Sequence, residues 1–207
     1  MDLLIKEINN LKQSEIAKII DKRINEFKSI DKESNKELLD EMCFCLLTAN
    51  FNAEKSIKIQ KEIGECFFKD SKEDISQKLK KQGHRFPNKR AEYISELISC
   101  KNNISEIVKF FDKKAIRDWI VNNVKGLGYK EASHFLRNVG FEDFAIIDFH
   151  IIDLLVRNKI IKKPKTITKN KYLEIENQLR KIAKKTNLNL AELDLYLWYI
   201  ETGKVLK

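Results

Sequence analysis

Turn-forming residues are so scarce in this chain that little besides helices can fill it. Only 6 Gly and 2 Pro occur in 207 residues, whereas sandwiches and barrels spend both at their many turns. Between these few breaks, apolar residues recur at helical spacing, as in Ile16, Ile19, Ile20, Ile24 and Phe27. Ser34-Asn35-Lys36-Glu37 has the pattern of a capping box ahead of an apolar helix over 38–49. Asn52 and Ser71 stand where they can cap helices through Ile63 and Gln82, the second stopped by Gly83. The spacing predicts further helices over 91–99, 104–111, 114–124, 130–139, 149–157, 172–185 and 190–202. Phe144-Ala145-Ile146-Ile147 is the one strand-like run, too short and isolated to form a sheet. The expected fold is all-α. The loop over 160–169, which carries Pro164, is the candidate boundary. It suggests two helical subdomains with a cleft between them, one from 1–33 plus 160–207 and the other from 34–159.

Hydrophobic residues make up 43% of the chain, which excludes a disordered protein. No apolar run reaches the ~18 residues of a membrane span. The N-terminal Met1-Asp2-Leu3-Leu4-Ile5-Lys6-Glu7 mixes charges into its apolar residues. It reads as an amphipathic helix and not as a secretory signal, so the expected compartment is the cytoplasm. Of the four cysteines, Cys43, Cys45, Cys66 and Cys100, only one pair is close, and Cys-x-Cys on a helix turns its side chains apart. No His stands at zinc-ligand spacing. Reduced, mostly buried thiols are expected, with no metal site and no cofactor.

Lys plus Arg is 40 and Asp plus Glu is 31, a net charge of +9, and the excess is uneven. Arg157, Lys159, Lys162, Lys163, Lys165, Lys169 and Lys171 follow one another with no acid between them. So do Lys78, Lys80, Lys81, Arg85, Lys89 and Arg90. Two such clusters suit a polyanion lying across the surface; solvated lysine-rich faces are the other reading.

The most informative segment is Val124-Lys125-Gly126-Leu127-Gly128-Tyr129-Lys130-Glu131-Ala132. It places Gly-Leu-Gly between two helical runs. Glycines there let the backbone approach another molecule, and the first amides of the next helix suit a phosphate. An ordinary helix–helix turn would look the same. Ile146-Ile147-Asp148-Phe149-His150-Ile151 follows, with Asp148 eighteen residues after Lys130. One helix and a loop return the chain over the hairpin, so Lys130 and Asp148 are expected to meet. Lysine is a mild misfit in a helix's first turn, where the dipole repels it.

This Gly-Leu-Gly, Lys130 and Asp148-x-His150 combination resembles the helix–hairpin–helix DNA glycosylase superfamily, and within it the archaeal-type 8-oxoguanine DNA glycosylases. The resemblance extends through 126–140, His84-Arg85-Phe86, and Leu195-Tyr196-Leu197-Trp198 with the tail Thr202–Lys207. Two features depart from the superfamily pattern. Lys125 stands where most hairpins have Pro, and the Cys-free second half excludes the iron–sulfur cluster of some relatives.

The resemblance implies a bifunctional enzyme. Lys130 attacks C1′ of the deoxyribose, the damaged base leaves, and a Schiff base forms before the strand breaks on the 3′ side. Such an amine has to be neutral, and burial and the positive end of the following helix both favour that. Asp148 stabilises the positive charge on the sugar; it also suits the N-cap of the next helix. Phe86 and Trp198 sandwich the turned-out base, and Lys207 tells 8-oxoguanine from guanine, which differ at N7–H and C8. Trp198 lies about 100° off the core stripe of Leu190, Leu193, Leu197 and Ile200. His150 contacts a DNA phosphate. Asn50 fills the gap left by the base, and Arg90 contacts the opposite base. The backbone of Gly126, Leu127 and Gly128 holds a phosphate, directly or through a monovalent or magnesium ion. The implied partner is double-stranded DNA containing 8-oxoguanine, bound by a monomer that associates with the nucleoid. Two alternatives remain: a non-catalytic helix–hairpin–helix DNA-binding module, and a related glycosylase for another oxidised base.

Overall fold

The structure, a computed structural model, describes residues 1–100, 103–110 and 112–207. Twelve α-helices follow one another among the described residues: α1 (Asp2–Lys12), α2 (Glu15–Lys28), α3 (Asn35–Thr48), α4 (Ala53–Ile63), α5 (Lys72–Lys81), α6 (Pro87–Ser99), α7 (Ile104–Phe110), α8 (Lys113–Asn123), α9 (Tyr129–Asn138), α10 (Phe149–Arg157), α11 (Lys169–Thr186) and α12 (Leu190–Thr202). A short 3-10 turn over Gly64–Phe68 follows α4. No described helix is long and apolar enough to cross a membrane. Phe111, at the end of one expected helix, lies outside the described residues.

Local chemistry starts most of these helices. Ser34 accepts from Glu37 N–H at 3.3 Å, Asn52 from Lys55 N–H at 3.0 Å, and Ser71 from Asp74 N–H at 3.1 Å. The box at Ser34 is half made, because the Glu37 carboxylate turns to Asp31 N–H instead. A complete capping box opens α12, where Asn189 and Glu192 each accept from the other's backbone N–H at 2.9 Å. Left-handed Asn187 and Gly203 end α11 and α12.

The chain divides into two compact units. The central unit is Ile30–Phe135 together with Lys207; the terminal unit is Met1–Ser29 with Leu136–Leu206. In the central unit, α3 is buried nearly all round and packs against α4, α6 and α7, while α5 lies along α6. Cys43 and Cys45 sit in this core, Cys100 is exposed, and all four thiols are free. In the terminal unit, α12 packs on α2, α10 and α11, and α1 packs on α2 and α11. The second border falls inside α9, whereas the sequence pointed to the 160–169 loop. The reason is α10: its Ile151, Leu154 and Leu155 are buried and the helix packs on α12.

The strand-like run 144–147 is held by helix side chains. Tyr172 Oη donates to Ala145 O at 2.7 Å and accepts from Ile147 N–H at 3.2 Å, and Glu176 accepts from Ala145 N–H at 3.0 Å. Nearby, buried Arg137 of α9 pairs with Asp194 of α12, donates to Asn138 Oδ1 at 2.8 Å, and lies 4.9 Å over the Phe27 ring. Removing one member of a buried pair strands the other charge. Asp194→Ala is expected to cost about 3–5 kcal/mol, read as a lower urea midpoint. Asp194→Leu combined with Arg137→Met should cost less than Asp194→Ala alone.

Candidate active site

The turn before α9 needs glycine. Gly126 has φ +91°, and a Cβ there would run into the Tyr93 ring and stand 3.0 Å from Leu46 Cδ2. Leu127 between the glycines is buried in the core. Two of the three amides expected to serve a phosphate already have acceptors within the protein. Leu127 N–H donates to Val124 O at 3.2 Å, and Gly128 N–H to Glu131 Oε2 at 3.3 Å. Glu131, three residues into the turn of helix that follows Gly128, reaches back as a capping acid, so a phosphate here competes with its carboxylate. Lys125, at the usual Pro position, pairs with Glu96 at 2.9 Å on the surface.

Lys130 occupies the first turn of α9. Its side chain is 26% exposed and its Nζ lies 3.6 Å from Glu131 Oε1. The hairpin is pinned by Tyr129, which bonds to Asp118, and by Arg117, which donates to Ser133 Oγ at 3.1 Å.

Phe86 is an exposed aromatic of the central unit, at the N-cap of α6, with the Arg85 and Arg90 guanidinium groups 5.0 and 5.9 Å from its ring centroid. Its backbone is fixed by His84. His84 is buried, its Nδ1 accepts from Phe86 N–H at 3.1 Å, and its Nε2 lies 3.0 Å from Leu47 O at the end of α3. Both bonds hold only in the neutral Nε2–H form. Burial pulls its pKa below the ordinary histidine value of 6.5.

Arg90 is buried and donates from Nη2 to Ala49 O at 2.6 Å. It thereby braces the turn in which Asn50 takes a left-handed φ of 56°. Burial pulls the Arg90 guanidinium down from its ordinary value, and the Glu131 charge pushes the other way. At the end of the chain, Lys207 Nζ is 2.7 Å from Glu41 Oε2 and 4.4 Å over the Phe44 ring. Sequence reasoning missed Glu41; an acid inside an otherwise apolar helix run was the available signal.

In the terminal unit, Asp148 caps α10, its Oδ1 accepting from Ile151 N–H at 3.0 Å. The His150 ring lies against Phe149, centroids 3.9 Å apart, and meets Trp198 edge-on at 5.0 Å. Trp198 is half-buried, although every residue of α12 from Leu190 to Leu197 except Glu192 is buried. Its indole N–H has no hydrogen-bond partner among the described residues. Phe149 is 68% exposed. The basic clusters are partly paired on the surface, Lys163 with Asp153, Lys171 with Glu174, and Lys89 with Glu92. Such pairs are weak and exchange readily.

A family model described as 8-oxoguanine DNA glycosylase matches residues 20–188. The chain belongs to the 8-oxoguanine DNA glycosylase family. It is 58% identical to an 8-oxoguanine DNA glycosylase/AP lyase of Methanocaldococcus jannaschii, over 99% of this chain and 100% of that protein. A crystal structure of the Methanocaldococcus jannaschii glycosylase/lyase in complex with a 15mer DNA containing 8-oxoguanine superposes with a TM-score of 0.95. The identity is 56%, over 99% of this chain and 100% of that one. The 8-oxoguanine DNA glycosylase of Thermotoga maritima gives a TM-score of 0.94 at 42% identity, over 100% and 99% of the two chains.

The His84 bonds have a pH consequence. A histidine whose pKa is lower folded than unfolded contributes stability above the unfolded value. That stability is lost as pH falls from about 6.5 through the folded value. Thermal unfolding between pH 7.5 and 5.5 should therefore lose more stability in the parent protein than in His84→Gln. Equal losses would show that His84 does not titrate in this way.

Proposed function

We propose that the chain excises 8-oxoguanine from duplex DNA and then cuts the strand at the abasic site, with Lys130 as nucleophile. The observation that carries this is Lys130 itself. It stands in the first turn of α9, directly after a turn that only glycine allows, with its side chain only 26% exposed. A family member 58% identical over its whole length is named for both activities.

The base has to leave the stack to be reached. Phe86 and Trp198 provide aromatic faces for it. The Lys130 amine bonds to C1′ as the C1′–N9 bond breaks, and the base departs with a proton. Opening of the sugar ring gives the imine between Lys130 and C1′. Loss of a C2′ proton then expels the 3′ phosphate oxygen by β-elimination, and water frees the lysine. Asp148 keeps one oxygen on Ile151 N–H and turns its charge to the cationic sugar. The Lys207 ammonium is taken by Glu41, which leaves a main-chain oxygen of Lys207 as the acceptor that recognises N7–H. A hydrogen-bonding site of this kind discriminates strongly because guanine lacks the donor. Asn50 and Arg90 serve the DNA left behind by the flipped base, His150 and the Gly126–Gly128 backbone the phosphates. No cofactor enters the scheme.

Borohydride added during turnover should trap the parent protein covalently on 8-oxoguanine DNA. Lys130→Gln should bind the same duplex but give neither trapping nor cleavage; cleavage at the parent rate would remove Lys130 from the chemistry and favour a non-catalytic binding module. A panel of duplexes with single lesions separates 8-oxoguanine from other oxidised bases. Asp148→Asn retains the cap, because the amide oxygen still accepts from Ile151 N–H. Single-turnover base release should nonetheless fall about 10²–10³-fold, and an unchanged rate would exclude the carboxylate from the reaction.

A further inference from the structure

Glu41 is an acid in an unusual place. It is 4% exposed, on α3, in the most buried helix of the central unit. A carboxylate survives burial when a cation and hydrogen bonds compensate it. The cation here comes from the far end of the chain: Lys207 Nζ stands 2.7 Å from Glu41 Oε2 across a separation of 166 residues. The same ammonium lies 4.4 Å from the centroid of Phe44, one turn further along α3. Terminal residues ordinarily fray. Lys207 instead has a side chain 21% exposed and is grouped with the central unit, while Leu206 before it is grouped with the terminal one.

Neighbouring contacts tie this seat to the nucleophile's helix. Phe44 meets the His134 ring edge-on at 5.6 Å, and His134 lies one turn beyond Lys130 on the same face of α9. The neighbouring Asp40 carboxylate accepts from Gln60 Nε2 at 2.7 Å. Burial and the adjacent Glu41 charge both push the Asp40 carboxyl up, and Lys207 opposes them.

We propose that Glu41 is a positioning residue for base discrimination: its carboxylate and the Phe44 ring seat the Lys207 ammonium and so fix where the main-chain oxygen of Lys207 stands. This rests on the reading of Lys207 as the base-discriminating residue. An acceptor on a frayed tail is spread over many positions and stays hydrated. Recognition of a single N–H needs that acceptor held within a fraction of an ångström.

The test is the ratio of single-turnover base-release rates on duplexes containing 8-oxoguanine and guanine. Glu41→Gln preserves shape and removes the charge; it should lower the ratio about tenfold or more, the scale of a charged hydrogen bond. Its cleavage of a preformed abasic site, which has no base to read, should match the parent. Lys207→Ala keeps the main-chain oxygen without the ammonium and should lower the ratio equally, and adding Glu41→Gln to it should lower it no further. An additional loss in that double variant, or impaired abasic-site cleavage by Glu41→Gln, would make Glu41 a general structural residue and overturn the proposal. Deletion of Lys207 separates the two levels. If deletion lowers the ratio and Glu41→Gln does not, Lys207 keeps its role and the anchor fails. If deletion leaves the ratio intact, Lys207 has no such role and the proposal falls with it.

Discussion

A helix buried along its length has to find partners for the carbonyls at its end, and α3 finds them in side chains from a single distant stretch. His84 bonds Leu47 O and Arg90 bonds Ala49 O. Donors belong there, because the last carbonyls lack intrahelical partners and the helix dipole is negative at that end. The consequence reaches the site. Meeting those carbonyls fixes the segment 84–90, and with it Phe86, whose N–H is held by the other nitrogen of His84. The same bonds fix the turn that carries Asn50. An exposed aromatic and an exposed amide thus owe their positions to the hydrogen-bond needs of a buried backbone.

The glycine turn depends on the same neighbourhood. Tyr93 lies over Gly126, and the Arg90 guanidinium lies 5.9 Å from the Tyr93 ring. Arg90 also feels the charge of Glu131, the residue that takes Gly128 N–H. On the proposed reading, a phosphate that approaches the turn exchanges one anion for another near a fixed guanidinium. Such an exchange loses little hydrogen bonding, and long-range attraction from a chain of net charge +9 favours it.

What the sequence disclosed followed the range of the interactions. The caps Ser34, Asn52, Ser71 and Asp148 were legible because a cap bonds an amide two or three residues on. The start of α6 at Pro87 lay four residues before the expected 91, although Pro at a first helical position is itself a signal. Thr168 likewise starts α11 ahead of the expected 172. The hairpin glycines, Lys130 and Asp148 were legible as a motif. The burial of Arg90 was not, because its partner is 41 residues away. The seat of Lys207 was hidden for the same reason, at 166 residues. Local pattern reports residue types; it does not report which distant carbonyl or carboxylate a charge will meet.

These long-range contacts also sort the work. On the proposed reading, breaking the strand at an abasic site draws on an amine, a carboxylate and a grip on the backbone, and Lys130, Asp148 and Gly128 all stand at helix starts, where amides and dipoles are fixed by the fold. On the same reading a base is met by Phe86 on a loop, by Trp198 on α12 and by Lys207. The less rigid supports are the ones braced by buried charges and a neutral imidazole: Arg90 and His84 beneath Phe86, Glu41 beneath Lys207. Burying such groups costs desolvation that an apolar side chain would avoid. Its return is geometric, since each directional bond removes freedom from an element that would otherwise move.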